Sequence, residues 1–119
     1  MNSSGEVIGT ETESSGTHVL LWTSTSATPQ DLGTTAALIP VMGLNDAGTV
    51  VWSSYSSTSF TGSIYTATGG VKDLDTLLDS SGAGYTIQSG SAINTGGWIA
   101  AVAKGPGGGI TPVVLTPDP

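Results

Sequence analysis

The sequence predicts an all-β, propeller-like fold of four-stranded antiparallel blades, about two and a half per chain. The first observation is a repeat: Leu44-Asn45-Asp46-Ala47-Gly48-Thr49-Val50-Val51 is echoed by Met1-Asn2-Ser3-Ser4-Gly5-Glu6-Val7-Ile8 and, more weakly, by Ile93-Asn94-Thr95-Gly96-Gly97-Trp98-Ile99-Ala100. The asparagines stand 43 and then 49 residues apart. The second is a landmark in constant order behind it: Leu21-Trp22-Thr23, Ile64-Tyr65-Thr66 and Val114-Leu115-Thr116 end 21, 21 and 22 residues beyond their asparagines. In the first two copies, Gln30-Asp31-Leu32-Gly33-Thr34 and Lys72-Asp73-Leu74-Asp75-Thr76 follow. Periods of roughly 40 to 50 residues built from short strands are characteristic of propeller blades. The third is composition: 18 Gly, 18 Thr and 16 Ser among 119 residues favour turns and strands over helices. The chain reads as one domain, residues 1–119, with units at about 1–43 and 44–92 and a half unit at 93–119.

The elements follow in order. Gly5 to Thr12 is a strand entered through the Asn-x-x-Gly turn, whose late glycine supplies a positive φ. Ser14-Ser15-Gly16 turns the chain into a second strand, His18 to Thr23. A Ser/Thr loop leads to a short third strand at Gln30 to Leu32. The stretch from Ala36 to Leu44 holds Pro40, which suits a short edge strand. The second unit repeats this course with strands at Val50 to Tyr55, Gly62 to Ala67 and Gly70 to Leu74, a helical turn over Leu74 to Leu78, and a fourth strand from Tyr85 to Ile93. The half unit supplies two strands, Trp98 to Lys104 and Thr111 to Thr116, separated by the glycine-rich 105–109 segment.

This count leaves both ends of the stack bare. The pairs Val7/Ile8, Val50/Val51 and Ile99/Ala100 put apolar side chains on both faces of each sheet. A bare face of about 800 Å² forgoes roughly 20 kcal/mol of gross burial and exceeds the apolar patch that monomers tolerate. A homo-oligomer that completes a ring or caps the faces is therefore expected.

Composition also excludes partners. A net charge of −7, with Lys72 and Lys104 as the only basic residues, leaves no cations to release phosphate counterions, so nucleic acid is not an expected partner. Anionic membrane surfaces are disfavoured for the same reason, and no apolar run approaches the ~20 residues that span a bilayer. The absence of cysteine rules out disulfides and thiolate metal sites. Met1 is followed directly by the repeat, so no signal peptide is expected and the compartment is left open.

At its landmarks the chain resembles the HAF repeat family, bacterial repeat proteins whose units read approximately I-N-D-x-G-x-V-V-G, then H-A-F-L-W-T, then D-L-G-T-L. Residues 44–51 match the first segment, His18-Val19-Leu20-Leu21-Trp22-Thr23 the second and Asp31-Leu32-Gly33-Thr34 the third. Asp73 to Leu78, Tyr85-Thr86-Ile87, Ala92-Ile93-Asn94 and Val114-Leu115-Thr116-Pro117 resemble the end of such proteins. The resemblance implies a propeller-like fold and a bacterial, extracellular origin. It brings no catalytic motif. The chain departs from it where Trp52 replaces the position of Gly9 and where Trp98 replaces that of Glu6 and Thr49.

Few residues offer chemistry. His18 is the only histidine, and as a catalytic base it needs a nucleophile and an orienting carboxylate that no motif places nearby; a structural or surface role is expected. Asp73, Asp75 and Asp79 lack the bidentate Glu and glycine turn of a calcium loop and read as solvated turn residues. Asp46 to Trp52 is similar to the Asp-box turn of sialidase-like propellers, with the tryptophan one residue too late and no catalytic weight. No catalytic, cofactor-binding or metal-binding residue is expected. Trp22, aligned with Tyr65 and Leu115, reads as core. Trp52 and Trp98 break the repeat, and each has three roles open to it: packing between blades, a subunit interface, or a platform for a sugar ring.

The expected function is a non-enzymatic structural or interaction module that self-assembles into a propeller-like oligomer. The alternative is a lectin-like carbohydrate-binding module that uses Trp52 or Trp98. A glycan-processing enzyme is the weakest reading, since it needs two carboxylates facing each other across a cleft.

Overall fold

Three copies of one turn organise the chain. In each, the asparagine N–H donates to the carbonyl four residues on: Asn2 to Glu6 (3.0 Å), Asn45 to Thr49 (3.1 Å) and Asn94 to Trp98 (3.0 Å). The glycine three residues on donates back to the asparagine carbonyl, as Gly5, Gly48 and Gly97 do at 3.0–3.2 Å. These glycines have φ of 82°, 80° and 84°, a left-handed backbone that a Cβ disfavours. The sequence pattern is thus satisfied by local hydrogen bonding before any packing is considered.

The structure is a computed structural model that describes residues 1–14, 16–24, 28–35, 42–56 and 59–117. Ser15 of the expected first turn, residues 36–41 with Pro40, and residues 118–119 lie outside the described residues. Ten strands are described: β1 (Val7–Glu13), β2 (Gly16–Trp22), β3 (Gln30–Thr35), β4 (Met42–Leu44), β5 (Val50–Ser56), β6 (Ser59–Thr66), β7 (Gly70–Asp73), β8 (Thr86–Ile93), β9 (Ile99–Lys104) and β10 (Ile110–Leu115). The expected helical turn is a 3₁₀ turn at Leu74–Leu77, and a second, unexpected one follows at Ser80–Gly82. The chain is all-β.

The strands form three antiparallel sheets, β1-β2-β3, β4-β5-β6-β7 and β8-β9-β10. This corrects the expected division into two four-stranded units and a two-stranded half. The strand before each Asn-x-x-Gly turn belongs to the sheet after it, because the turn reverses the chain on itself. Leu44 pairs with Val50 and Ile93 with Ile99. Sheets are therefore offset from the sequence repeat by one strand, and the half unit gains β8 as its third.

Alternation along β5 shows how the sheets stack. Val50 and Trp52 point to the first sheet, where they pack with Val19, Leu21 and Leu32. Val51, between them, points to the third sheet and packs with Ile87, Ile99 and Ala101. Strand β5 at the centre of the middle sheet is thus buried on both faces. Its approach to the third sheet is close: a Cβ on Gly62 would lie 2.7 Å from Ile87 Cγ2, and one on Gly90 would lie 2.7 Å from Val51 Cβ. Among the described residues the three sheets form an open stack, with no closed barrel or ring.

Candidate functional site

The asparagine turns stack into a ladder along one rim. Each Oδ1 is used at home: Asn2 accepts from Ser4 and Glu6 N–H, Asn45 from Ala47 and Thr49, and Asn94 from Trp98, at 2.9–3.1 Å. The Nδ2 groups of Asn2 and Asn45 point onward. Asn2 Nδ2 donates to the Asn45 carbonyl at 2.9 Å, and Asn45 Nδ2 donates to the Asn94 carbonyl at 3.1 Å. The two rungs join residues 43 and 49 apart, the intervals of the sequence repeat. Side-chain reach from one turn to the next was missed from sequence, although the asparagine at each interval is its signal.

The three tryptophans part ways. Trp52 is 2% exposed and lies between the first two sheets, with its Nε1–H donating to Ser54 Oγ at 3.2 Å. Of the three roles open to it, packing between sheets is the one its position matches, and it presents no surface for a ligand or a subunit. Trp98 is 55% exposed. It borders a shallow hollow of about 290 Å³ lined also by Ala92, Asn94, Ala100 and Val114. Trp22 is half-buried on the outer face of the first sheet, its ring against Gly9, where an added Cβ would stand 3.2 Å away. Its counterparts Tyr65 and Leu115 pack against the two interior clusters, as expected of a core position. Trp22 differs because the described residues contain no sheet before it.

The outer face of the third sheet is an exposed apolar surface. Ala92, Ala100 and Val114 are cross-strand neighbours there, as are Ser89, Val102 and Pro112. Val114 is 61% and Ile110 is 60% exposed. Lys104 ends this row.

His18 lies on the outer face of the first sheet, with Nδ1 2.6 Å from Asp31 Oδ2 and Nε2 3.5 Å from Glu13 Oε2. Glu11 is its cross-strand partner. The bulge between Val19 and Leu20 brings Asp31 within its reach, and neither spacing nor motif had indicated the contact. The N–H of Gly33, 2.9 Å away, holds the Asp31 carboxyl below its ordinary value; partial burial opposes this shift and His18 assists it. A catalytic triad orients imidazole with a carboxylate on one nitrogen and a nucleophile on the other. Here Nε2 faces a second carboxylate.

The carboxylates of the 73–79 segment serve the backbone. Asp75 Oδ1 accepts from Ile87 N–H at 2.6 Å. Asp79 Oδ1 accepts from Ser81 N–H at 2.9 Å and from Ser81 Oγ–H at 2.6 Å, and these two bonds hold it below the usual carboxylate range. The Asp73 carbonyl accepts from Thr76 Oγ1–H. Asp46, in the Asp-box-like segment, accepts from Ser3 N–H at 2.8 Å, a bond between adjacent turns that lowers its pKa. Among the described residues no three His, Asp or Glu side chains are grouped to hold a metal ion. A second hollow of about 250 Å³, between the 3₁₀ turns and the end of β10, has Asp79 as its one ionisable wall residue. Neither hollow sets two carboxylates against each other.

No protein-family model, no curated protein and no solved structure matches the chain.

Proposed function

We propose that this chain is a non-enzymatic structural and interaction module that associates with copies of itself to complete a propeller-like assembly, in keeping with its resemblance to HAF repeat proteins. The observation that carries this reading is the outer face of the third sheet, where Trp98, Ile110 and Val114 are each more than half exposed around Ala92 and Ala100. The matching faces of the first and second sheets are covered by the next sheet. Apolar burial drives association, and a continuous apolar sheet face is a recognised interaction surface. Size-exclusion chromatography with light scattering tests it: oligomers are expected at micromolar concentration, and a stable monomer there overturns the reading.

A second reading rests on Trp98 alone. An exposed indole beside a shallow hollow is the arrangement on which a sugar ring stacks, so a glycan is the alternative partner. Binding would shift the tryptophan emission of the wild-type chain, and Trp98→Ala would abolish the shift. A glycan array without hits removes this reading.

A further inference from the structure

We infer that the partner of the third sheet's outer face is the first sheet's outer face of a second copy, joined head to tail so that the asparagine ladder continues from Asn94 of one copy to Asn2 of the next. This rests on the self-association proposed above and specifies its geometry.

The molecule contains the interface twice already. Positions five residues past each asparagine, Val7, Val50 and Ile99, face backward along the stack. Positions six past, Ile8, Val51 and Ala100, face forward. Val50 packs into the first sheet's core, Ile99 into the second's, and Ile8 and Val51 meet the sheet that follows. Among the described residues Val7 has no sheet behind it and Ala100 has none ahead. The same holds for the landmark aromatics: Tyr65 and Leu115 pack backward, which leaves Trp22 as the large backward-facing side chain without a sheet to enter. The forward face offers the hollow of about 290 Å³ between Ala92, Ala100 and Val114. One end of the molecule carries the backward-facing half of an internal interface, and the other end carries the forward-facing half.

Two polar features match in the same sense. Asn2 and Asn45 Nδ2 each donate to the next asparagine carbonyl. Among the described residues Asn94 Nδ2 has no acceptor, and the Asn2 carbonyl receives no asparagine side chain. Lys104, one of two lysines in a chain of net charge −7, closes the forward row Ala100-Val102-Lys104, ten residues past Asn94. Glu11 and Glu13 close the backward row of β1, nine and eleven residues past Asn2, with His18 and Asp31 beside them. Stacking in the internal register sets the lone forward cation level with the backward carboxylates, which favours head-to-tail over tail-to-tail contact. Such an interface is heterologous: each copy uses one of each face, and rings or open stacks result.

The test uses singly blocked variants of the full chain, each checked for folding by circular dichroism. Trp22→Glu, with Val7→Glu in reserve should loss of the ring over Gly9 unfold the first sheet, blocks the backward face. Ala100→Glu, at an exposed position, blocks the forward face. Each alone is expected to associate at least about tenfold more weakly than wild type, because a carboxylate is buried without a partner. Mixed, the two restore one good interface and give a one-to-one heterodimer that grows no further. Lys104→Glu weakens wild-type association most at low salt. If either blocked variant self-associates as strongly as wild type, the contact joins like faces and the head-to-tail arrangement is wrong while self-association stands. If wild type itself is a monomer, self-association fails as well.

Discussion

Asn45 does the work of three groups at once: its Oδ1 caps two N–H groups of its own turn, its Nδ2 crosses to the next sheet, and its carbonyl receives Asn2. It is also buried. Its replacement by alanine takes the side-chain acceptor from the part-buried N–H groups of Ala47 and Thr49 and one of the two donors from the Asn94 carbonyl, at a cost of about 1–3 kcal/mol. Urea unfolding of Asn45→Ala is expected to show a loss in that range, whereas Asn94→Ala, whose Nδ2 has no acceptor among the described residues, loses less. Asp31 gives a pH signature. Its pKa is lower in the folded chain than in the unfolded one, so its contribution is present above the ordinary aspartate value of 3.8 and is lost as pH falls through the folded value below it. As pH falls through 3.8 and below, the wild type therefore loses stability that Asp31→Asn does not have to lose. The effect is small, since the carboxyl is half exposed and screened by solvent. A variant whose acid limb is as steep as wild type refutes the assignment.

Strands and turns were legible in the sequence because the forces that form them act within a few residues. The Asn-x-x-Gly pattern located all three turns, and all ten described strands overlap positions expected from it and from the flanking apolar pairs; β4 (Met42–Leu44) is short and lies at a sheet edge, as expected within 36–44. Sheet membership was not legible. The repeat boundary had been set at the asparagine, yet a reversing turn holds the strands on both its sides in one sheet, so β4 and β8 pair forward. The fate of Trp52 was equally hidden, because Val50, Val51 and Trp52 are apolar without alternation and either face is a candidate interior. Its position between sheets predicts that Trp52→Ala costs about 3–5 kcal/mol through the cavity it leaves. Trp98→Ala on the open face is expected to change single-chain stability by less than about 0.5 kcal/mol. Thermal or urea unfolding of the pair at concentrations below association separates the two; equal losses would contradict the packing described.

The whole molecule is a short stack with unlike ends and a charge of −7. Association must overcome the mutual repulsion of these charges, which screening relieves over a Debye length of about 8–10 Å at physiological salt. The mean mass of wild type is therefore expected to rise from low to physiological ionic strength, in contrast to an assembly held mainly by ion pairs. Static light scattering across a salt series reads this directly, and a mass that falls steadily with salt would show that charge pairs rather than apolar faces hold the copies together.

Sequence alone determined the interval of the repeat, the turn at each asparagine, the order of the strands and the sign of the charge, since each depends on neighbouring residues or on composition. Tertiary structure decided which sheet each strand enters, that Trp52 is inside and Trp98 outside, that His18 meets Asp31 and Glu13, and that the asparagines reach one another. Those outcomes depend on what lies across a sheet or some 40 residues along the chain. The same apolar pair is buried on both sides at Val50 and Val51 in the middle of the stack, whereas at its end Ile99 is buried and Ala100 exposed, and the presence or absence of a neighbouring sheet makes the difference.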